Sequence, residues 1–110
     1  MIDPGLIDMI MRIRGRGISD NAVLRAMELV ARKHFVAKKH WDVAYEEQSL
    51  PTSCGQSLSP PLTIALMTQM LELSPEHKLL EIGTGSGYHT AILSKIVKRL
   101  LQSIKRFRVR

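Results

Sequence analysis

The stretch LLEIGTGSGYHT, residues 79 to 90, constrains the fold of this chain more than any other. A short apolar run ends in a carboxylate, and glycines follow at alternate positions. The run KLLEI predicts a strand, GTGSG a turn, and the residues from near Tyr88 a helix. Such a unit makes a ligand site at the carboxyl end of a sheet, because glycines let a backbone come close and a helix start offers free N–H groups. The spacing then separates the nucleotide folds. A dinucleotide fingerprint GxGxxG in the register of Gly83 and Gly85 requires glycine at 88, where Tyr88 stands. No GKS or GKT follows, so a P-loop is excluded. What is present is ExGxGxG, with Glu81 two residues ahead of the first glycine. A carboxylate there repels a pyrophosphate and suits a cationic ligand. S-adenosylmethionine, which carries a sulfonium and an amino group, is such a ligand. An isolated GxGxG also occurs in plain flexible turns; the strand before it, the helix after it and the carboxylate favour the cofactor.

The preceding residues read as helices. In PGLIDMIMRIRGRG, Leu6, Ile7, Ile10, Met11 and Ile13 recur at helical spacing, with Pro4 at the start and Gly15 and Gly17 at the exit. A second helix is predicted over about 20–32, capped by Ser19 or Asp20, with Val23, Leu24, Met27 and Val30 on one face. Residues 37–57 show no period, and LPTSCGQS is turn chemistry. A third helix is predicted over about 60–73, with Ser59 as its N-cap, Pro60 as its first residue, and a stripe of Ile64, Met67, Met70 and Leu71.

With 110 residues there is room for one domain that buries roughly two thirds of its unfolded surface. Hydrophobic residues at 45% and charged residues at 24% are ordinary for a globular chain. No apolar run reaches the roughly 18 residues of a membrane span, and Asp3 and Asp8 stand where a signal peptide is basic. A cytoplasmic protein is expected. Cys54, the single cysteine, forms no internal disulfide and no cysteine-based zinc site. His34, His40, His77 and His89 show no ligand spacing, so no metal is expected. The net charge of +6 is localised: residues 1–94 are nearly balanced, whereas KIVKRLLQSIKRFRVR, residues 95–110, carries only basic charges.

Three separated segments, GISDNAVLRAMELVARKHFV, AYEEQSLPTSCGQSLSPP and LLEIGTGSGYHTAIL, resemble in that order the protein-L-isoaspartate (D-aspartate) O-methyltransferase family, over about residues 17–97. The resemblance implies an α/β fold: N-terminal helices plus the first strand-loop-helix of a Rossmann-like, S-adenosylmethionine-dependent methyltransferase domain. It implies methyl transfer from S-adenosyl-L-methionine to the carboxyl group of isoaspartyl residues in proteins or peptides, a repair reaction. The family's active-site serine falls on Ser59. Its cofactor-lining residues fall on Gln56, Ser57, Leu58 and Ser59, and its first glycine motif on Glu81, Ile82, Gly83, Thr84, Gly85 and Gly87. Ala31, Leu58 and His89 depart from the family's usual proline, isoleucine and glutamine.

After Val97 the family continues with a pattern like VYSIER, whose glutamate accepts hydrogen bonds from the cofactor ribose. This chain reads LLQSIKRFRVR, with Lys105 near that position, and a cation accepts no such bond. Ile96, Leu100, Ile104 and Phe107 keep a helical stripe, so the helix begun near Tyr88 is expected to run on. Three regions result: a helical cap and active-site loop at 1–58, the start of the Rossmann-like domain at 59–94, and a divergent basic tail at 95–110. The reading is a truncated methyltransferase, weakly active or inactive alone. KLLEI is left without neighbours, which favours self-association through the unpaired strand or mobility after about residue 90. The alternative is a non-catalytic binding module that engages another protein through the basic tail or an exposed sheet edge. Nucleic acid is not an expected partner, since the tail lacks interleaved aromatics.

Overall fold

A computed structural model describes residues 2–52, 55–83 and 85–103. Helix α1, Pro4–Gly15, starts where Asp3 accepts a 2.8 Å bond from the Gly5 N–H and Pro4 presets the first turn. It buries Met9 and Ile13 and ends in a turn at Gly17, whose φ of +105° is left-handed. Helix α2, Asn21–Leu29, is capped by Asp20, which accepts from the Ala22 N–H at 2.9 Å, and buries Val23, Leu24, Ala26 and Met27. It stops short of the expected residue 32. Val30 is extended, and the chain enters a 3₁₀ turn at Arg32–Phe35 that carries the Arg32 side chain inward. A second 3₁₀ turn, Lys38–Val43, orders part of the segment that showed no period.

Helix α3 runs over Pro61–Met70, and the expected cap is corrected here. Pro60 is the N-cap, and no side chain caps the helix. A residue before proline is pushed out of the α region, so Pro61 holds Pro60 extended at φ −57° and ψ 150° and the helix starts one residue later than predicted. Ser59 thus lies outside capping position. At the other end Glu72, with φ of +48°, turns the chain out of the helix. Gln69 fastens α3 to the α1–α2 turn: its Oε1 accepts from the Ser19 and Asp20 N–H groups at 2.8 and 2.9 Å, and its Nε2 donates to the Gly17 carbonyl at 3.0 Å.

Two small sheets complete the fold. Strands β1, Leu50–Pro51, and β2, Ser57–Leu58, form an antiparallel hairpin with Leu50 opposite Leu58. Its tip holds Gly55 at φ +75°, as the turn chemistry predicts; Cys54 lies outside the described residues. Strand β3, Lys78–Ile82, leads into helix α4, Tyr88–Ser94, and then into β4, Arg99–Ser103.

That last strand overturns two expectations. α4 does not run on, and KLLEI is not unpaired: β3 and β4 are parallel, from Lys78 opposite Arg99 to Ile82 opposite Ser103. Ile96 and Val97 are buried rather than continuing a helical stripe, and the Lys98 N–H donates to the Pro75 carbonyl at 3.1 Å, which turns the chain back beside β3. Pairing satisfies backbone groups that a lone strand would leave open. Residues 88–94 and 99–103 thus belong to α4 and β4; Ile104, Lys105 and Phe107 lie outside the described residues. Leu79 and Leu100 pack against the core, and Glu81 points to the same side. The alternate residues Leu80, Ile82 and Leu101 are 57%, 68% and 51% exposed, so the opposite sheet face is apolar and open.

Candidate functional site

The alternating glycines have a backbone reason. Gly83, Gly85 and Gly87 have φ of +77°, +56° and +90°, all in the left-handed region that a Cβ disfavours. Two of them have a close neighbour, tight at Gly85 and at ordinary contact distance at Gly87. A Cβ on Gly85 would sit 3.0 Å from the Gln56 side-chain oxygen, and one on Gly87 would sit 3.8 Å from the Phe35 ring. The structure thus brings Gln56 of the hairpin arm onto the glycine loop, although 29 positions separate Gln56 from Gly85. Thr84 lies outside the described residues.

Glu81 sits on the α4 side of β3, where one carboxylate oxygen accepts a hydrogen bond from the Thr90 hydroxyl. That bond fixes the side chain and leaves acceptor capacity on a group that can take several donors. His89, on the same helix, lies 2.8 Å from the Thr68 hydroxyl of α3. Thr68 donates its own proton to the Ile64 carbonyl, so His89 Nε2 carries the hydrogen in this contact. Burial lowers the His89 pKa, and the Glu81 charge opposes that shift.

The other predicted site residues lie on the hairpin arm. Ser57 is exposed, whereas Leu58 is buried in the core opposite Leu50, so its side chain packs inward. Ile82 projects from the open sheet face. Ser59 is half-buried, and its carbonyl accepts a 2.8 Å bond from Arg32 Nη2.

Arg32 is the residue that sequence reasoning missed. It is 0% exposed, yet no carboxylate pairs with it among the described residues. Its guanidinium donates to the Ala44 carbonyl at 2.7 Å, the Ser59 carbonyl at 2.8 Å and, at a longer 3.4 Å, the Gln48 carbonyl. It also lies 5.1 Å from the centroid of the Tyr88 ring, the first residue of α4. Burial pushes the Arg32 pKa down and that of Tyr88 up to about 12. Arg32 Nη1 and the Tyr88 hydroxyl are both buried without a hydrogen-bond partner among the described residues. The nearness of the two groups opposes both shifts, but burial outweighs it. Phe35 packs edge-on against Tyr88, with centroids 5.4 Å apart at 65°. An arginine inside the basic run ARKHF reads as a surface residue, and nothing in its spacing marks it as buried.

Beside the loop opens a cleft of about 620 Å³, walled by the two 3₁₀ turns and the residues between them, the hairpin and Ser86. The described residues contain no helix long and apolar enough to cross a membrane and no metal-holding cluster.

A parallel strand–helix–strand unit, entered through a carboxylate and three left-handed glycines and backed by a helical layer, is the opening of a Rossmann-like methyltransferase domain. The family model for protein-L-isoaspartate(D-aspartate) O-methyltransferase matches residues 6–108. A protein-L-isoaspartate O-methyltransferase 2 of Rhodopseudomonas palustris is 50% identical over 98 residues, covering 89% of this chain and 45% of that protein. A protein-L-isoaspartate O-methyltransferase of Maricaulis maris is 45% identical over 106 residues, covering 96% and 49%. Among solved structures, a protein-L-isoaspartate O-methyltransferase matches with a TM-score of 0.76 at 25% identity, covering 88% of this chain and 32% of that one. A putative one from Plasmodium falciparum, in complex with S-adenosyl-L-homocysteine, matches with a TM-score of 0.66 at 27% identity, covering 79% and 39%. The chain belongs to the protein-L-isoaspartate(D-aspartate) O-methyltransferase family. It spans just under half the length of these two curated relatives, at 45% and 49%. The family match continues to residue 108, through β4, so the expected end of the resemblance at Val97 is corrected as well.

Proposed function

We propose that this chain provides the S-adenosylmethionine-binding opening of a protein-L-isoaspartate O-methyltransferase, acting on isoaspartyl carboxyl groups of proteins and peptides. The observation that carries the reading is the glycine loop itself: three alternate left-handed glycines follow Glu81, and Gln56 lies against Gly85. A bared backbone suits a bulky nucleoside cofactor, and the carboxylate suits its cationic amino-acid end. In this reading Glu81, Ile82, Gly83, Thr84, Gly85 and Gly87 form one side of the cofactor site, and Gln56, Ser57, Leu58 and Ser59 the other. Leu58 contributes through its backbone, since its side chain is in the core.

The chemistry asks little of the protein in proton transfer. An ionised carboxylate oxygen of the substrate attacks the methyl carbon, the carbon–sulfur bond breaks, and its electron pair neutralises the sulfonium. No proton moves. Catalysis is then mainly alignment of two reactants in line, and in this reading the Ser59 hydroxyl orients the attacking carboxylate. Isothermal titration of the chain with S-adenosylhomocysteine tests the cofactor half of the reading. Stoichiometric binding that Glu81→Gln weakens is expected; tighter binding of NAD than of S-adenosylhomocysteine would overturn it.

A further inference from the structure

The cleft beside the glycine loop has a one-sided charge. Lys39 lines it together with His34, His40 and Ser86 of the loop, and among the described residues no carboxylate does. The neighbouring cavity near α1 is different, since Asp3, Asp8, Asp42 and Glu46 line it with Arg12 and Lys33. Other cations of this region are occupied: Lys33 is paired with Asp3 at 2.7 Å, and Lys38 lies 5.7 Å from the Trp41 ring centroid. Lys39 has no ion pair among the described residues, and His40 Nε2 is buried without a hydrogen-bond partner there. A concave surface that carries the charge of Lys39, has no acid in its lining among the described residues and borders a ligand loop raises the local concentration of anions.

Resting on the function proposed above, we infer that this cleft holds an acidic stretch of the substrate polypeptide next to its isoaspartyl residue. Lys39 supplies the attraction, His34 offers a hydrogen-bonding ring beside it, and the Phe35 and Pro51 walls take the apolar parts of the segment. Acidic flanks would then be selected without touching the reacting carboxyl.

The test uses the 110-residue chain saturated with S-adenosylhomocysteine and fluorescein-labelled isoaspartyl peptides. Two of them differ only in carrying two Glu or two Gln beside the isoaspartyl residue. Charge pairs at partly exposed sites are weak, so the Glu peptide should bind roughly two- to tenfold tighter by anisotropy at low salt. The difference should vanish near half-molar salt, where screening acts over only a few ångströms. Lys39→Glu should abolish or reverse the preference while leaving S-adenosylhomocysteine titration unchanged. Equal binding of the two peptides, a preference that survives in the His34→Glu, Lys39→Glu double variant, or no binding of either peptide overturns the inference. So does a Lys39→Glu variant that loses S-adenosylhomocysteine, because the cleft would then belong to the cofactor's own carboxylate. A third peptide with ordinary aspartate separates the two proposals: failure to prefer isoaspartate counts against the proposed function, whatever the flanks do.

Discussion

Replacing Arg32 with methionine should destabilise this fold more than its place in a basic stretch suggests. The side chain is wholly buried, and its short bonds reach the carbonyls of Ala44 and Ser59 at 2.7 and 2.8 Å. Without the guanidinium each carbonyl loses its donor, at a cost of about 1–3 kcal/mol apiece. Methionine fills much of the vacated volume, and relief of a buried cation's desolvation returns part of the loss. The net effect is about 2–4 kcal/mol, against a total stability of roughly 5–15 kcal/mol for a domain. At about 4–8 °C per kcal/mol for a small domain, the thermal midpoint should fall by roughly 8–32 °C. Arg32→Lys should lie between, because a single ammonium keeps the charge but lacks the planar fork that serves separated acceptors. Thermal unfolding followed by far-ultraviolet circular dichroism gives all three midpoints. A methionine variant within about 2 °C of the parent would refute the account, since the three carbonyl contacts would then contribute nothing that packing does not.

Tyr88→Phe should be neutral or stabilise by up to about 1–2 kcal/mol, because it removes a buried hydroxyl without a hydrogen-bond partner among the described residues; a clear fall in the denaturant midpoint contradicts this. His89 gives a pH dependence of definite sign. Its folded pKa is lowered, so the unfolded chain takes up a proton first, and stability present in full above about pH 6.5 declines as the pH falls below that value. His89→Gln should flatten this part of the profile between pH 7 and 5, and an unchanged slope would show that other groups cause it. Gln69→Ala should cost about 1–2 kcal/mol in urea unfolding, as three bonds between α3 and the α1–α2 turn are lost from a partly exposed site; a shift below a few tenths of a kcal/mol would mean that water replaces them.

Local chemistry was legible where it acted alone. Asp20, one of the two expected caps, caps the second helix, Pro4 opens the first as expected, and the glycine rhythm at 83, 85 and 87 corresponds to three left-handed residues. Ser59 failed as a cap because a second local rule, the restriction that Pro61 places on Pro60, outweighed the preference of serine. β4 was hidden for a different reason. Its leucines fit a helical stripe as well as a strand, and the deciding partner, KLLEI, lies about 20 residues away. The burial of Arg32 is still less local, since its acceptors are backbone carbonyls that every residue possesses and no spacing advertises.

The same fact explains how the two arms of the proposed site are held. Residues 56–59 and 81–87 belong to different segments, and the four-residue turn Arg32–Phe35 touches both: Arg32 grips the Ser59 carbonyl, and Phe35 packs against Tyr88 and lies close to Gly87. Because Arg32 binds a carbonyl and not the serine side chain, the position of the arm does not depend on what that side chain does. The hydroxyl of Ser59 is free of capping duty, since α3 starts beyond Pro60. In the proposed site this divides the roles at Ser59: the arginine fixes the backbone through the carbonyl, and the hydroxyl is left for the substrate.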